Sequence, residues 1–356
     1  PHPGSSPTSR FPVTLPGPRR PDPRSVPVLR WGVLGTGWIA QRFVASLRAH
    51  TDQQVVAVGS RTDVTARRFA DAVGTGIARA HGSAEALVAD PDVDVVYVAT
   101  PHAAHRRGAL LAIAAGKHVL VEKPLGLDAA QALEISEAAV AQGVFCAEAF
   151  WTLFLPRFDV VRRVLENGLL GEVRSVLADH GEQFHPPHRI LDPAAAGGSL
   201  LDLGSYCTAL ATWVLGPAER VLASGENAAS GVNGQASMLL AHRGGAQSVL
   251  HTTLLTRTPT TAVISGTAAT LTLPGPFFMP GDVVLTSADG TRSSSWTDPA
   301  PIAHGALFHS AIEVALRVGA GELHSPLRPA TEVVIGLAAL DEVSRQLGAD
   351  DTSGDR

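Results

Sequence analysis

The sequence has few cysteines, no excess of basic charge and no long hydrophobic run, and each shortage excludes a class of protein. Cys146 and Cys207 are the two cysteines among 356 residues, which excludes a disulfide scaffold and a CxxC zinc site. Lys and Arg number 28 against 33 Asp and Glu, a net charge of -5, so no basic field attracts nucleic acid. Apolar runs such as residues 109–115 are far shorter than the ~20 residues that cross a bilayer. We therefore expect a cytoplasmic protein that binds neither nucleic acid nor membrane.

The two ends of the chain differ in composition from its middle. Residues 1–29 are rich in Pro, Ser, Gly and Arg and show neither a helical nor a strand period. We predict a disordered or extended arm outside the fold over 1–29 and a polar tail over 349–356. Between them the pattern changes near residue 150, which predicts two domains, 30–150 and 151–348.

Within residues 30–150, short apolar runs alternate with helical patterns. Strands are expected over 31–34, 55–58, 93–99, 118–121 and 144–146, with helices over 39–47, 64–72, 102–115 and 129–141. Asp128 is placed to cap the last helix, and Gly116 and Gly143 to end two of them. Strands that alternate with helices form a parallel sheet covered on both faces. The first domain is therefore predicted to be an α/β Rossmann fold with a doubly wound parallel sheet.

Residues 151–348 have a different pattern. One helix near 158–167 is followed by longer runs that begin at residues 172, 220, 237, 247 and 261, with turn signals such as Arg243-Gly244-Gly245 between them. A final helix is expected over 331–346. This order predicts an α+β domain with a large, open, mainly antiparallel sheet.

A glycine-rich turn follows the first predicted strand. Gly35-Thr36-Gly37-Trp38-Ile39-Ala40 is a G-x-G-x-x-A sequence that leads directly into a helix. The first glycine suits a tight turn, the second lets the backbone approach a pyrophosphate, and the helix N-terminus favours the negative charge. We predict that residues Gly35 to Ile39 bind a dinucleotide; the alternative is a tight connection without a ligand.

The end of the second strand distinguishes between dinucleotides. NAD is usually read there by an acidic residue that accepts from the ribose hydroxyls, whereas this chain has Ser60-Arg61. A guanidinium makes charge-assisted contacts with phosphate oxygens. We therefore predict NADP in preference to NAD, with Ser60 and Arg61 at the 2′-phosphate. The alternative is a solvated Arg61, with Asp63 only capping the next helix.

Three further polar stretches follow predicted strands or open a helix. They are Thr100-Pro101-His102 with His105, then Glu122-Lys123-Pro124, and later Asp202 and Tyr206. Asp202 and Tyr206 are four residues apart, so in a helix they share one face. A nearby Lys favours the ionised form of a Tyr, which predicts a lowered Tyr206 pKa and general acid/base chemistry.

These residues resemble the family of glucose-fructose oxidoreductase, inositol dehydrogenase and MocA-like oxidoreductases. The resemblance extends from about Arg30 to Gly348, and Glu122-Lys123-Pro124 is its most specific stretch. Many members carry a His four residues after the Asp, and Tyr206 stands there instead. That exchange is similar to the dimeric dihydrodiol dehydrogenase and NADP-dependent ketosugar reductase branch, as are residues 148–152 and 274–280.

The resemblance implies an NADP-dependent hydride transfer at a secondary alcohol or ketone of a polyol, ketosugar or cyclic trans-diol. Lys123 would bind cofactor ribose and substrate, Tyr206 would exchange the proton, and Asp202 would orient the lysine or a substrate hydroxyl. The remaining implied cofactor contacts are Thr100, Pro101, His105 and Glu122. Trp151, Phe154 and Arg189 are expected to line the substrate pocket with Tyr206, although the aromatic side chains could equally be core. A homodimer or homotetramer through the open sheet is also expected.

Two other activities stay open on the sequence. One is a glucose-fructose type of enzyme that retains NADP tightly, for which the arm over 1–29 would help cover the cofactor. The other is a non-catalytic NADP-binding regulator. His102 and His105 are three residues apart, as are His185 and His188, but no third metal ligand accompanies either pair. No metal site is therefore predicted.

Overall fold

The computed structural model describes residues 11–74, 79–299 and 302–351. Its first half is a six-stranded parallel sheet in the order β3-β2-β1-β4-β5-β6, which confirms the predicted Rossmann architecture. The strands are β1 Arg30–Leu34, β2 Gln54–Gly59, β3 Arg79–His81, β4 Val95–Val98, β5 His118–Glu122 and β6 Cys146–Ala149. The helices are α1 Trp38–His50, α2 Asp63–Ala72, α3 Ala84–Val88, α4 His105–Ala114 and α5 Ala129–Gln142.

Local sequence explains most of these boundaries. All four residues of β4 are buried because helices cover both faces of the sheet. Asp128 caps α5 by accepting from the Gln131 N–H, and Gly143 ends the helix with a φ of 71°. The cap of α2 is Thr62 and not Asp63, which lies in the first helical turn. Strand β3 was missed because it is only three residues long and follows no apolar run.

The second half contains an eight-stranded sheet in the order β14-β13-β12-β11-β7-β10-β9-β8, which confirms the predicted α+β architecture. The strands are β7 Val173–Gly181, β8 Ala218–Asn227, β9 Asn233–His242, β10 Gln247–Thr253, β11 Ala262–Gly266, β12 Ala269–Leu273, β13 Val283–Ser287 and β14 Ser293–Trp296. The helices are α6 Pro156–Glu166, α7 Ser205–Leu215, α8 Phe308–Gly319 and α9 Ala330–Asp351. Every pairing is antiparallel except that of β7 with β10.

The predicted position of the N-terminal arm needs a correction. Residues 11–29 form no helix or strand, but Leu15, Val26 and Leu29 are buried and belong to the hydrophobic core. The backbone N–H of Arg19 donates to Asp159 Oδ2 at 2.6 Å, and Arg20 Nη2 donates to the Leu155 carbonyl at 3.2 Å. This part of the arm is therefore extended and packed on α6, not outside the fold. Residues 1–10 lie outside the described residues.

The C-terminal helix continues past its predicted end. Helix α9 reaches Asp351, so the first three residues of the predicted polar tail are helical, and residues 352–356 lie outside the described part. Helix α9 packs on α5, α7 and β8, and so joins the two halves of the chain. Over the described residues, no helix is both long and apolar enough to cross a membrane.

The topology decides where a ligand can bind. The chain leaves β3 at one edge and re-enters the sheet at β4, on the other side of β1. A crevice opens at such a switch point, outside the carboxyl ends of the strands. Gly35 follows β1, Thr100 comes after β4 and Lys123 follows β5, so these predicted site residues share that edge of the sheet.

Candidate active site

The glycine-rich turn has the geometry of a phosphate-binding loop. Gly35 has a φ of 110°, and a side-chain carbon there would lie 2.4 Å from the Ala99 carbonyl oxygen, so this position requires glycine. Gly37 faces open space and caps α1 without a side chain. The first turn of α1 carries no acidic residue. The start of α1 is thus accessible to an anionic group.

The two residues predicted to contact a 2′-phosphate lie directly after β2. Ser60 donates its backbone N–H to the His81 carbonyl at 3.0 Å, which fixes the backbone at the end of β2. Arg61 is exposed, and its guanidinium has no ion pair within the described ranges. An exposed, unpaired cation at this strand end suits a phosphate group.

Three predicted residues from distant parts of the chain meet at the edge of the sheet. The Lys123 ammonium donates to the Asp202 carbonyl at 2.6 Å and lies 3.3 Å from Asp202 Oδ1. It also lies 5.0 Å from the centre of the Tyr206 ring. Asp202 belongs to a π-helical turn, Leu200–Gly204, which continues into α7 at Ser205. The turn places Asp202 and Tyr206 on the same side of Lys123.

Asp202 is the electrostatic centre of this group. Its carboxylate accepts from both terminal nitrogens of Arg189, at 3.2 and 3.1 Å, and lies 3.6 Å from His102 Nε2. Burial raises the pKa of Asp202, but the charges of Lys123 and Arg189 and the hydrogen bonds from Arg189 lower it well below its ordinary value. Asp202 is therefore an anion that holds Lys123 and Arg189 in place.

The protonation of Tyr206 differs from the expectation. Burial raises its pKa, and the charge of Lys123 only partly opposes this, so the net pKa lies above the ordinary value of Tyr. For Lys123 burial lowers the pKa, but Tyr206, Asp202 and Glu122 outweigh it and the net pKa is raised. The predicted lowering of the Tyr206 pKa is wrong for this structure because desolvation dominates. The site holds a neutral tyrosine beside an ammonium group.

Aromatic side chains enclose the Tyr206 ring. Phe278 lies 4.7 Å from it between ring centres, and His180 lies 5.4 Å away while stacking on Phe278 at 4.5 Å. The Trp151 Nε1–H donates to the Tyr206 hydroxyl at 3.4 Å. Trp151 also stacks on His304 at 5.2 Å. These rings make an apolar wall with one hydroxyl in it.

The glycine-rich turn contacts the same wall. Trp38 makes an edge contact with His304 at 4.9 Å between ring centres, although 53% of its surface stays exposed. His304 therefore bridges the start of α1 and Trp151. The glycine-rich turn and the Tyr206 cluster are therefore linked through the His304 ring.

Two predicted site residues have other surroundings. Phe154 is 1% exposed, and among the described residues no ring contact or hydrogen bond joins it to Tyr206, so the structure does not bring it into the cluster. His105 is fully buried, and its two ring nitrogens lie 2.7 Å from the Pro124 carbonyl and 2.9 Å from the Thr100 carbonyl. His105 thus ties the segment after β4 to the segment after β5. Burial lowers its pKa, which these hydrogen bonds oppose.

Glu122 stabilises the backbone at Lys123. Its Oε1 accepts from the Tyr97 hydroxyl, and its Oε2 accepts from the Lys123 backbone N–H at 3.2 Å. Burial raises the Glu122 pKa to about 6, against the opposing effects of Tyr97 and Lys123. At the same edge, Thr100 Oγ1 and His102 Nδ1 are buried and find no hydrogen-bond partner in the described part of the chain. Polar atoms in that state are candidates for contact with a ligand.

Sequence reasoning missed several residues of this site. His102 was grouped with Thr100 and Pro101 at a strand end and weighed as a metal ligand, but its contact with Asp202 was not predicted. His180 and His304 had no local signal, because the pairing of β7 and the turn at 303–307 bring them in from far along the chain. No group of three or more metal-ligating side chains is found within 11–74, 79–299 and 302–351.

Comparison with known proteins agrees with this architecture. Residues 29–150 match the GFO/IDH/MocA oxidoreductase family with its NAD-binding Rossmann fold, and residues 158–272 match the C-terminal domain of that family. Trans-1,2-dihydrobenzene-1,2-diol dehydrogenase of Bos taurus is 34% identical over 330 residues, which cover 90% of this chain and 97% of the bovine protein.

Solved structures show the same likeness. KijD10, a 3-ketoreductase from Actinomadura kijaniata crystallised with NADP and TDP-benzene, has a TM-score of 0.78 at 28% identity, covering 89% of this chain and 97% of its own. A levoglucosan dehydrogenase crystallised with NADH and levoglucosan has a TM-score of 0.79 at 17% identity and the same coverage, which is a likeness of fold alone. The chain thus belongs to the GFO/IDH/MocA family of oxidoreductases.

Proposed function

We propose that this chain is an NADP-dependent oxidoreductase that interconverts a secondary alcohol and a ketone on a sugar, a sugar derivative or a cyclic trans-diol. The observation that carries the proposal is the cluster of Lys123, Asp202 and Tyr206 at the edge of the parallel sheet where the glycine-rich turn also lies. Hydride transfer between nicotinamide and carbon needs one proton donor or acceptor at the substrate oxygen. Tyr206 is the candidate for that role.

The residues at the carboxyl ends of β1, β2, β4 and β5 suit a phosphorylated dinucleotide. The residues that would hold it are Gly35, Thr36, Gly37, Trp38 and Ile39 at the pyrophosphate, Ser60 and Arg61 at the 2′-phosphate, and Thr100, Pro101, Glu122 and Lys123 along the crevice. The requirement for glycine at position 35 and the orphaned hydroxyl of Thr100 support this assignment. The NADP in the KijD10 structure points the same way. Bound there, the nicotinamide supplies or accepts the hydride.

The protein supplies the proton and the orientation. A neutral Tyr206 donates its proton to a ketone oxygen during reduction, and the adjacent Lys123 charge stabilises the phenolate that remains. In the oxidation direction the same phenolate accepts the alcohol proton. Asp202 fixes Lys123 through its carbonyl and its carboxylate. Because the Tyr206 pKa is raised, the resting site is poised for reduction.

The surroundings of Tyr206 support the substrate class. Trp151, Phe278 and His180 pack around the Tyr206 ring and its hydroxyl, and aromatic side chains suit the C–H faces of a cyclic substrate. Arg189 and Asp202 offer donors and acceptors at its hydroxyls. The similarity to dihydrodiol dehydrogenases and a 3-ketoreductase supports a cyclic diol or ketosugar.

A homo-oligomer belongs to the same proposal. The outer face of the eight-stranded sheet carries one row of aligned residues: Leu222, Leu239, Val249, Leu177, Val263, Thr272 and Val284. Leu177, Leu222 and Val249 are 45%, 51% and 51% exposed. An apolar face of this extent favours a second copy of the chain as its cover. A cytoplasmic location stays a prediction.

Parallel equilibrium titrations of NADPH and NADH, followed by Trp fluorescence, test the cofactor assignment. We expect tighter NADPH binding and quenching that depends on Trp38, followed by turnover with ketosugars or cyclic diols. Equal or tighter NADH binding would contradict the role of Ser60 and Arg61. Binding without turnover on any such substrate would instead favour a regulator, and cofactor that co-purifies with the protein would favour the retained-NADP alternative.

A further inference from the structure

A buried ion pair lies directly behind the site and belongs to none of the roles assigned above. The side chains of Glu148 on β6 and Arg328 before α9 are each 3% exposed. Glu148 Oε2 lies 3.0 Å from Arg328 Nη2 and accepts a hydrogen bond from Arg328 Nε at 3.0 Å. Glu148 Oε1 accepts from the Leu125 backbone N–H at 3.0 Å. Leu125 is two residues after Lys123. The ion pair therefore anchors the segment that carries the lysine.

The same guanidinium also faces the helix that carries Tyr206. Arg328 lies 4.9 Å from the centre of the Phe150 ring, and Phe150 lies 5.1 Å from Tyr206. Arg328 Nη1 and Ser205 Oγ are buried and have no hydrogen-bond partner among the residues that the structure describes. Ser205 is the residue immediately before Tyr206. Two orphaned polar groups thus point to a missing connection between the ion pair and α7.

A small cavity joins these two groups. Its walls include Pro124, Glu148, Ser205, Arg328 and Gly336, and the space open to a water molecule is ≈ 10 Å³. A cavity of about 10–15 Å³ holds one water when two or more polar groups line it. Gly336 lies inside α9, where glycine is unfavourable. Its missing side chain leaves this space open.

We infer that one buried water bridges Arg328 Nη1 and Ser205 Oγ, and that Glu148, Arg328 and this water position Lys123 and Tyr206 relative to each other. Arg328 Nη1 donates one hydrogen bond to the water, and a second hydrogen bond joins the water to the Ser205 hydroxyl. The network then runs from the Leu125 N–H through Glu148, Arg328 and water to the start of α7. Glu148, Arg328 and Ser205 are positioning residues, since none of them contacts Tyr206 by a hydrogen bond. The inference rests on the proposed roles of Lys123 and Tyr206.

Two small substitutions test the water without breaking the ion pair. Ser205→Ala removes one of its partners. Gly336→Ala adds a methyl group 3.6 Å from Thr212 Oγ1 and 3.9 Å from Arg328 Nη2, so it fits without a clash and fills the space. Ser310→Ala is the matched control, because Ser310 Oγ is also buried and unpartnered but lies on α8, away from the cavity.

The measurements are kcat, KM, the NADPH Kd, thermal stability, and crystal structures of the wild type and Ser205→Ala. We expect one ordered water between Arg328 Nη1 and Ser205 in the wild type and its loss in the variant. Displacement of a catalytic pair by about 1 Å costs up to about 100-fold in rate. We therefore expect kcat to fall about 10-fold in Ser205→Ala and in Gly336→Ala, while KM and the NADPH Kd stay within two-fold of the wild-type values. Gly336→Ala should nevertheless melt at a higher temperature than the wild type. Ser310→Ala should keep the wild-type kcat.

Several results would overturn the inference. They are a wild-type structure without a water at this place, unchanged kcat in both cavity variants, or an equal loss of kcat in Ser310→Ala. Glu148→Gln adds an independent measurement, because it keeps an acceptor for the Leu125 N–H but loses the charge that holds Arg328. It should show a displaced Arg328 and a loss of kcat. The crystallographic result does not depend on the proposed function, which fails separately if Tyr206→Phe retains full turnover.

Discussion

Arg157 is fully buried and holds the loop that supplies Phe278 to the site. Its Nη1 donates to the carbonyls of Pro276, Phe277 and Met279 at 3.0, 3.1 and 3.0 Å, and its Nη2 donates to that of Pro274 at 2.8 Å. No other type of side chain could donate to four carbonyls of one loop from a single planar group. We predict that Arg157→Met destabilises the protein and displaces Phe278.

The expected loss follows from two opposing effects. Nη1 shares its two hydrogens among three carbonyls and Nη2 donates one more bond, so about three charge-assisted hydrogen bonds at about 2 kcal/mol each give about 6 kcal/mol. Burial lowers the Arg157 pKa to about 10, with Asp282 and Asp298 opposing, and a shift of that size from 12.5 corresponds to about 3 kcal/mol of desolvation that the variant recovers. The net loss in the free energy of unfolding is therefore about 3 kcal/mol.

Urea unfolding followed by circular dichroism measures this loss, and steady-state kinetics measures the effect on the site. We expect KM for the substrate to rise several-fold and the NADPH Kd to stay within two-fold, since Phe278 lies on the substrate side. Arg107→Met is the control, because Arg107 is 78% exposed in its side chain and pairs only with Glu85; its loss should stay below about 0.5 kcal/mol. Equal stabilities of the two variants, with KM unchanged, would refute the loop-clamp reasoning.

Three further predictions follow. Burial lowers the His102 pKa to about 3, so His102 stays neutral in the folded protein, whereas in the unfolded chain it binds a proton below about pH 6.5. The free energy of unfolding should therefore fall by about 2 kcal/mol between pH 7.5 and 5 because of this residue. In urea unfolding, His102→Gln should remove that part of the pH dependence. Arg61→Ala should raise the NADPH Kd about 10- to 100-fold through the lost phosphate contact and leave the NADH Kd within two-fold, whereas the exposed Arg220→Ala should change neither. Leu177→Glu should convert the oligomer to a monomer, which light scattering would show as a particle of 37.0 kDa. Leu133 on α5 is equally exposed (46%), and Leu133→Glu should leave the oligomer intact. A monomeric wild type would contradict the oligomer proposal.

Much of the fold could be predicted from local patterns. The alternation of apolar runs and helical stretches identified the parallel sheet, and Asp128 and Gly143 cap α5 as their types require. Strands β13 and β14 were missed because Val-Val-Leu-Thr-Ser and Ser-Ser-Ser-Trp have neither a clear period of two nor a long apolar run. The buried arm was missed because its anchors Leu15, Val26 and Leu29 are isolated among prolines.

The parts of the site that lie in a recognisable sequence motif could be predicted. Gly35 and Lys123 each sit in a recognisable run directly after a strand, so their common edge followed from the topology. His180, Phe278 and His304 could not be assigned, because their proximity depends on long-range pairing and on the Arg157-held loop. The direction of the Tyr206 pKa shift could not be read from sequence either, since burial outweighs the neighbouring charge.

Turnover of Tyr206→Phe, measured beside its NADPH affinity, tests the central claim most directly. The substitution removes one hydroxyl and keeps the ring packed between Phe150 and Phe278. Loss of a general acid costs about 100- to 10,000-fold in rate, so we predict a kcat at least about 100-fold lower, with the NADPH Kd within two-fold of wild type. A variant that binds NADPH equally well and turns over at the wild-type rate would contradict the role of Tyr206 as the proton donor.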